Sequence, residues 1–134
     1  MSAATDPVTW SWPAEVGSVG TARHAVVDWL RERGLSDAPL GDVALMVSEA
    51  VSNAVVHAYV GGPPGAIDVE VAVFEDELMV AVQDHGRGLS PRPDSPGLGY
   101  GLALMVAVSE RFEAQSHDRE GTRLVAWFAR PVAA

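Results

Sequence analysis

The sequence contains no cysteine, no lysine and no long hydrophobic run. Without cysteine, neither a disulfide framework nor a thiolate metal site can form, and this favours a reducing compartment such as the cytoplasm. The longest uninterrupted apolar run, Leu102 to Val108, is far shorter than the roughly 20 residues that cross a bilayer. The N-terminus has no basic patch followed by an apolar core. We therefore predict a cytoplasmic protein with no secretory signal and no membrane span.

The charge of the chain is one-sided, with a formal net charge of −9. Affinity for nucleic acid depends mainly on cations that meet phosphates, so the composition disfavours direct nucleic-acid binding. The same charge suits a basic protein partner. Because all nine Lys/Arg positions are arginine, any phosphate site must use backbone amides, a metal ion or arginine.

Length and periodicity predict one α+β domain. With 134 residues, 48% of them hydrophobic, the chain is long enough to bury one core. We predict a flexible leader at 1–7 and a single domain at 8–130. The order of the elements is strand, helix, helix, hairpin, proline-rich loop, helix, hairpin. This order predicts a two-layer sandwich whose mixed, mostly antiparallel sheet is covered on one face by helices. The predicted strands are 8–12, 67–73, 78–82, 112–117 and 122–128, and the predicted helices are 16–33, 37–59 and 97 to about 111.

The second predicted helix carries a polar stripe on an otherwise apolar surface. Four side chains at positions i, i+3, i+4 and i+8 form it: Glu49, Ser52, Asn53 and His57. A stripe of this kind faces either solvent or a binding cavity. The rest of the helix has enough apolar surface to be enclosed, which favours the cavity, because a buried carboxylate needs a partner. For His57 alone, a structural hydrogen-bonding role is an equal alternative.

The string Asp84-His85-Gly86-Arg87-Gly88 follows a predicted half-buried strand. Spaced glycines allow the backbone to approach a flat ligand closely, and a carboxylate at the strand end can accept a hydrogen bond from a ring amino group. The alternative is an ordinary surface turn, because similar strings are frequent in loops.

A second glycine-rich string, Gly97-Leu98-Gly99-Tyr100-Gly101, opens the third predicted helix. Backbone amides at a helix N-terminus can bind an anion without lysine. A proline-rich loop precedes the string and no Gly-Lys-Ser/Thr follows it, so it is neither a dinucleotide fingerprint nor a P-loop. A flexible hinge is the alternative.

Taken in order, these strings resemble the motifs of the GHKL, or Bergerat-fold, superfamily of gyrase, Hsp90 chaperones, histidine kinases and MutL. The stretch from Glu49 to Tyr59 resembles the N box, the two glycine strings resemble its glycine boxes, and Gly121-Thr122 resembles its closing Gly-Thr motif. The likeness extends from about Val8 to Phe128. Within the superfamily, the chain is most similar to anti-sigma factor serine/threonine kinases of the RsbW and SpoIIAB type.

The resemblance implies binding of ATP with Mg²⁺ and a role for each matching residue. Glu49 would be the general base, Asn53 the magnesium ligand, and Asp84 the acceptor for the adenine amino group. The other implied nucleotide-binding residues are His57, Gly86, Gly88, Gly97, Gly99, Gly101 and Thr122. Phosphoryl transfer depends mainly on positioning and charge neutralisation, and these residue types can supply both. Since no arginine stands between Glu49 and Tyr59, Arg87 and Arg92 are the candidates for a phosphate-binding cation.

The implied function is an ATP-dependent protein serine/threonine kinase that acts as an anti-sigma factor. Its partners would be a sigma factor and a STAS-type anti-sigma factor antagonist, which it would phosphorylate, and it would form a homodimer. Arg23 and Arg31 of the first helix are candidate partner contacts. Three alternatives stay open: a detached histidine-kinase catalytic domain, a non-catalytic ATP-responsive binding module, and an interaction domain without a ligand. The first lacks support because no phosphoacceptor segment of the His-Glu-x-x-x-Pro kind is present.

Overall fold

The structure is a computed structural model that describes residues 6–86, 98–117 and 120–130. The first five residues of the predicted leader, the predicted loop at 89–96 and part of the last predicted turn lie outside these ranges. The strands are β1 (Val8–Pro13), β2 (Ala66–Val73), β3 (Glu77–Asp84), β4 (Arg111–His117) and β5 (Gly121–Ala129). The helices are α1 (Val16–Glu32), α2 (Asp37–Asn53), a π-helical segment (Ala54–Ala58) that continues α2, and α3 (Leu98–Val108).

The five strands form one sheet in the order β1-β2-β3-β5-β4, and each of the four pairings is antiparallel. The predicted α+β fold and the order of its elements are confirmed. The sheet that we expected to be mixed has no parallel pair among the described strands. Adjacent helices pack on one face, because every second side chain of β2 and β3 is apolar and points to the same side.

The core lies between that face and the helices. One row crosses the sheet in register through Trp10, Val69, Val82 and Leu124. From the helix layer, fully buried apolar side chains of both long helices meet the sheet: Val26 and Leu30 of α1, and Val43, Met46 and Val47 of α2. This packing holds α2 over the centre of the sheet, and the C-terminal end of α2 over the ends of β3 and β5.

Two helix ends show how local chemistry sets the bounds. Gly34, the predicted stop of α1, adopts a φ of 83°, a conformation that glycine reaches without a steric penalty. The third helix ends at Val108, not near Arg111 as predicted. The hydroxyl of Ser109 donates to the Met105 carbonyl, and the next backbone amide, of Glu110, already donates to the Trp127 carbonyl of β5. The chain therefore pairs with β5 before another helical turn can form.

The described residues contain one helix that is long and apolar enough to cross a membrane by length and composition, Asp37–Ala58. It is α2 with its π-helical continuation. Its apolar side chains at Val43, Met46, Val47 and Val51 are at most 1% exposed within the protein. The apolar composition of this helix is therefore accounted for by its central place in the core.

Candidate functional site

A small cavity of about 20 Å³ lies between the end of α2 and the ends of β3 and β5. This is room for about one water molecule. Its walls combine three of the strings found in the sequence, since Asn53 and His57, Asp84, and Thr122 all line it. The remaining wall is apolar and consists of Ala50, Ala54, Ala58, Val82 and Leu124. Residues far apart in the chain therefore meet at one place. Two of the four side chains of the polar stripe, Asn53 and His57, take part, whereas Glu49 and Ser52 do not line this cavity.

Asp84 is the buried carboxylate of the cavity, with only 9% of its surface exposed. As the last residue of β3 it points to the helix face, like Val80 and Val82 before it. Its Oδ1 accepts hydrogen bonds from the backbone amides of Gly86 (2.9 Å) and Thr122 (3.2 Å). Within the described ranges, no group donates to Oδ2. Burial raises the pKa of Asp84, while the two backbone hydrogen bonds and the charge of His85 act in the opposite direction.

Two glycines fit tightly around this carboxylate. A side chain at Gly86 would collide with the carbonyl oxygen of Ala58, and one at Gly121 with the carbonyl oxygen of Asp84. Gly121 also has a φ of 97°, which favours glycine. We expected Gly86 to make space for a ligand; what the structure shows is that the Ala58 carbonyl leaves no space for a side chain at this position. The backbone after β3 packs directly on the end of the helix, which fixes the donor at Gly86 next to Asp84.

Asn53, the last residue of α2, has a buried amide nitrogen without a hydrogen-bond partner in the described part of the chain. An unpaired buried donor costs free energy that a ligand or water can recover. A Cβ placed on Gly101 would lie 3.1 Å from Asn53 Nδ2 and 3.4 Å from Glu49 Oε2. The second glycine string is therefore brought against the polar stripe, where a carboxylate and an amide lie one helical turn apart.

The helix changes form directly after Asn53. We predicted a continuous helix to Tyr59, but residues Ala54–Ala58 are π-helical and Tyr59 (φ −118°, ψ 29°) leaves the helical conformation. The chain turns away here, because Gly61 adopts a φ of 83° and the amide of Gly62 donates to the Tyr59 carbonyl. π-helical turns often occur at functional sites. Here the turn places His57 in the cavity wall and leaves Val56 60% exposed.

A group of polar contacts behind Asp84 was missed at the level of sequence. The Tyr59 hydroxyl donates to the Ala66 carbonyl (2.7 Å) and accepts from the backbone amide of His85 (2.9 Å). The ring Nε2 of His85 lies 2.9 Å from Asp68 Oδ2. Burial raises the pKa of Tyr59, whereas the hydrogen bond from His85 lowers the pKa of Asp68. Tyr59 ends the N-box string, yet nothing in the sequence alone indicates which carbonyl its hydroxyl reaches.

The candidate residues thus fall into three sets. One wall joins Glu49, Asn53 and Gly101, and Gly99 lies in the same helix as Gly101. The second set is His57, Asp84, Gly86 and Thr122. All of these except Gly86 line the cavity together with Asn53, and the Thr122 hydroxyl lies 3.4 Å from Ser116 Oγ. The third set, Gly88 and Gly97 together with Arg87 and Arg92, lies outside the described residues.

Comparison with known proteins identifies the same fold. Residues 12–128 match the model of the histidine kinase-like ATPase domain family. An anti-sigma F factor of Clostridium novyi is 27% identical over 115 residues, which cover 78% of this chain and 80% of that protein. A serine-protein kinase RsbW of Bacillus licheniformis is 34% identical over 99 residues, covering 74% of this chain and 62% of that kinase.

A solved structure gives the same result at the level of fold. The crystal structure of the RsbU and RsbW domains of a Mycobacterium tuberculosis protein superposes with a TM-score of 0.75 over 97% of this chain and 35% of that one, at 24% identity. The α+β architecture of this chain, a five-stranded antiparallel sheet with helices on one face, is therefore that of the RsbW-like neighbours.

Proposed function

Because this chain belongs to the histidine kinase-like ATPase domain family, we propose that it binds ATP with magnesium beside the C-terminal end of α2 and the adjoining ends of β3 and β5, with the adenine amino group in the water-sized cavity at Asp84. The observation that carries this proposal is the buried carboxylate of Asp84. Two backbone amides hold its Oδ1, which leaves Oδ2 to accept a hydrogen bond from the adenine amino group. Such a fixed and desolvated acceptor discriminates against a base without a donor at that position.

The other wall supplies the phosphate end of the proposed site. Asn53 would hold magnesium through its side-chain amide oxygen. A rotation of that amide by half a turn exchanges the positions of its oxygen and its unpaired nitrogen, so the oxygen can face the ion. The described residues contain no cluster of three or more histidine, aspartate or glutamate side chains able to hold a metal. Magnesium takes few protein ligands and completes its shell with water and nucleotide phosphates, so one amide oxygen can suffice. When bound, the ion neutralises charge on those phosphates.

We propose that Glu49 acts as the general base of a protein serine/threonine kinase. Its carboxylate would take the proton of a partner hydroxyl as that oxygen bonds to the γ-phosphorus and ADP leaves. The relative named serine-protein kinase RsbW supports this reaction, and the relative named anti-sigma F factor supports a sigma factor as a partner. The proposed partners are a sigma factor and a STAS-type antagonist, the latter being phosphorylated. The proposed assembly is a cytoplasmic homodimer, which sedimentation of the purified chain tests.

Calorimetry with ATP and magnesium, followed by a transfer assay on a captured partner, separates binding from catalysis. We expect Asp84→Asn to weaken ATP binding by about 10- to 100-fold, because a hydrogen bond to a charged acceptor is lost. We expect Glu49→Ala to keep ATP binding within about 3-fold and to lower phosphate transfer at least about 100-fold, as loss of a general base does. Transfer that survives in Glu49→Ala would show that Glu49 is not the base. Binding without transfer in the unaltered protein would instead indicate an ATP-responsive module without kinase activity.

A further inference from the structure

We infer that Tyr59 is a positioning residue for adenine recognition, which it controls through its hydroxyl and the backbone of the turn that follows Asp84. The inference rests on the proposed function, because it assigns to Tyr59 the alignment of the carboxylate that would read the adenine amino group. Tyr59 itself is absent from the cavity wall. Its effect must therefore pass through the protein.

The hydroxyl of Tyr59 joins three segments: the end of the helix, the start of β2 and the turn after β3. It donates to the carbonyl of Ala66, the first residue of β2, at 2.7 Å. It accepts from the amide of His85, directly after β3, at 2.9 Å. Both of these hydroxyl contacts go to backbone, so they fix the course of the chain and not the rotamer of a neighbour. A hydroxyl is suited to this place because it can donate and accept at the same time.

The same turn fixes the carboxylate of Asp84. The amide of Gly86, one residue beyond His85, donates to Asp84 Oδ1 at 2.9 Å. A shift of the His85 backbone moves this donor, and with it the direction in which Oδ2 points. The order of contacts is therefore Ala66 carbonyl, Tyr59 hydroxyl, His85 amide, Gly86 amide and Asp84 carboxylate.

The ring of Tyr59 packs against Gly65, in the space that a side chain at Gly65 would occupy. A Cβ at Gly65 would lie 2.5 Å from both Cε1 and Cζ of that ring, so any side chain there must push the ring aside. The ring end that would move carries the hydroxyl, whose two backbone contacts would then be lost. This gives the inference a second variant, Gly65→Ala, in which Tyr59 is intact but displaced.

The ring of His85 is held as well, by a separate contact. Its Nε2 lies 2.9 Å from Asp68 Oδ2, with the two side chains 55% and 35% exposed. This contact holds the ring of His85, whereas the Tyr59 hydroxyl binds the backbone of the turn directly. Asp68 follows Ile67, whose side chain is fully buried on the helix face, and so Asp68 points to the other face of the sheet. The two contacts thus approach His85 from different sides.

The decisive measurement compares two nucleotides by calorimetry, ATP and purine riboside triphosphate, which is ATP without the exocyclic amino group. For Tyr59→Phe we expect ATP to bind about 5-fold more weakly, the scale of one neutral hydrogen bond. We expect the affinity for purine riboside triphosphate to change by less than about 2-fold, because that ligand makes no contact that depends on Oδ2. Gly65→Ala should show the same selective loss. Equal losses for both nucleotides would show a general loosening of the fold and would overturn the inference.

Ser109→Ala is the matched control, because it also deletes a hydroxyl that donates to a backbone carbonyl at 2.7 Å. Ser109 lies beyond the C-terminal end of α3, near Pro39 and Phe128, away from the cavity. We expect it to alter neither affinity. A selective loss of ATP binding in this control would overturn the assignment to Tyr59.

Hydrogen exchange separates the inference from the proposed function. The amides of His85 and Gly86 should exchange at least about 5-fold faster in Tyr59→Phe than in the unaltered protein, since one hydrogen bond of the turn is lost. This measurement needs no nucleotide. If the unaltered protein binds no ATP, the proposed function fails, whatever the exchange rates are. If it binds ATP and these two amides exchange at unchanged rates in the variant, the inference fails and the proposed function stands.

Discussion

At the scale of single residues, Asp84 and Asp68 couple stability to pH in opposite directions. Burial raises the pKa of Asp84 above its usual 3.8, so the folded state holds that proton more tightly than the unfolded state does. The contribution of Asp84 to stability therefore falls as the pH rises from 3.8 through the raised pKa. The hydrogen bond from His85 lowers the pKa of Asp68. The contribution of Asp68 to stability is complete above pH 3.8 and is lost as the pH falls through the lowered pKa.

Asp84→Asn should therefore raise the free energy of unfolding at neutral pH. Asparagine keeps an acceptor for the amides of Gly86 and Thr122 but carries no charge that must be desolvated. The difference in the free energy of unfolding between Asp84→Asn and the unaltered protein should be absent below pH 3.8. It should grow as the pH rises through the raised pKa of Asp84 and stay constant above it. Denaturant unfolding between pH 3 and pH 8 measures it, with Asp68→Asn as the control of opposite sign. If Asp84→Asn instead has the lower free energy of unfolding at neutral pH, the charged carboxylate stabilises the fold, and the predicted cost of its burial is wrong.

At the scale of elements, the start of α3 is packed so closely on α2 that Gly101 sets the space at the proposed phosphate end. A methyl group at Gly101 would lie 3.1 Å from Nδ2 and 3.3 Å from Oδ1 of Asn53. Alanine favours a helix over glycine by about 0.5–1 kcal/mol, which offsets the cost of displacing the Asn53 amide, whose nitrogen has no partner to lose among the described residues. The free energy of unfolding of Gly101→Ala should therefore change by less than about 1 kcal/mol. Because the methyl displaces the Asn53 amide, we expect ATP with magnesium to bind about 10-fold more weakly, or about 1.4 kcal/mol.

Gly41→Ala is the matched control for this prediction. Gly41 lies within α2, and a Cβ there meets nothing within 4 Å. The substitution should raise the free energy of unfolding by about 0.5–1 kcal/mol and leave nucleotide binding unchanged. Calorimetry and denaturant unfolding of both variants give the comparison. An unchanged affinity in Gly101→Ala would remove the second glycine string from the proposed site.

The elements also show what could be predicted from sequence. Period-two alternation in β2 and β3 predicted the hairpin and its buried face, because one-sided burial imposes that pattern. The spacing of Asn53 and His57 predicted that both side chains reach one cavity, since a helix brings positions i and i+4 together; Glu49 of the same stripe does not line that cavity. The π-helical turn and the end of α3 at Val108 were not predicted, because both depend on tertiary contacts of the chain beyond the helix. The same holds for Tyr59, whose hydroxyl partners lie on two other segments.

At the scale of the whole molecule, the groups that would bind ATP destabilise the protein when no ATP is bound. Asp84 is a desolvated carboxylate and Asn53 has an unpaired buried amide. Proteins often keep such groups where function needs them, at the expense of stability. A ligand that satisfies both groups returns that free energy only when it is bound. The free energy of unfolding of this chain should therefore rise on addition of ATP by more than a typical substitution at the exposed surface changes it.

This reasoning predicts that the order of stabilities inverts on addition of nucleotide. Without ATP, Asp84→Asn should unfold at a higher denaturant concentration than the unaltered protein. With ATP and magnesium at 100 times the dissociation constant, the unaltered protein should gain about 2.7 kcal/mol, and the variant, which binds about 10- to 100-fold more weakly, clearly less. The unaltered protein should then be the more stable of the two, provided that the charge of Asp84 costs less than this difference. Unfolding of both proteins over a range of ATP concentrations locates the crossing point. Parallel curves would mean that Asp84 takes no part in binding, because a site that has lost its acceptor cannot respond to the ligand as the intact site does.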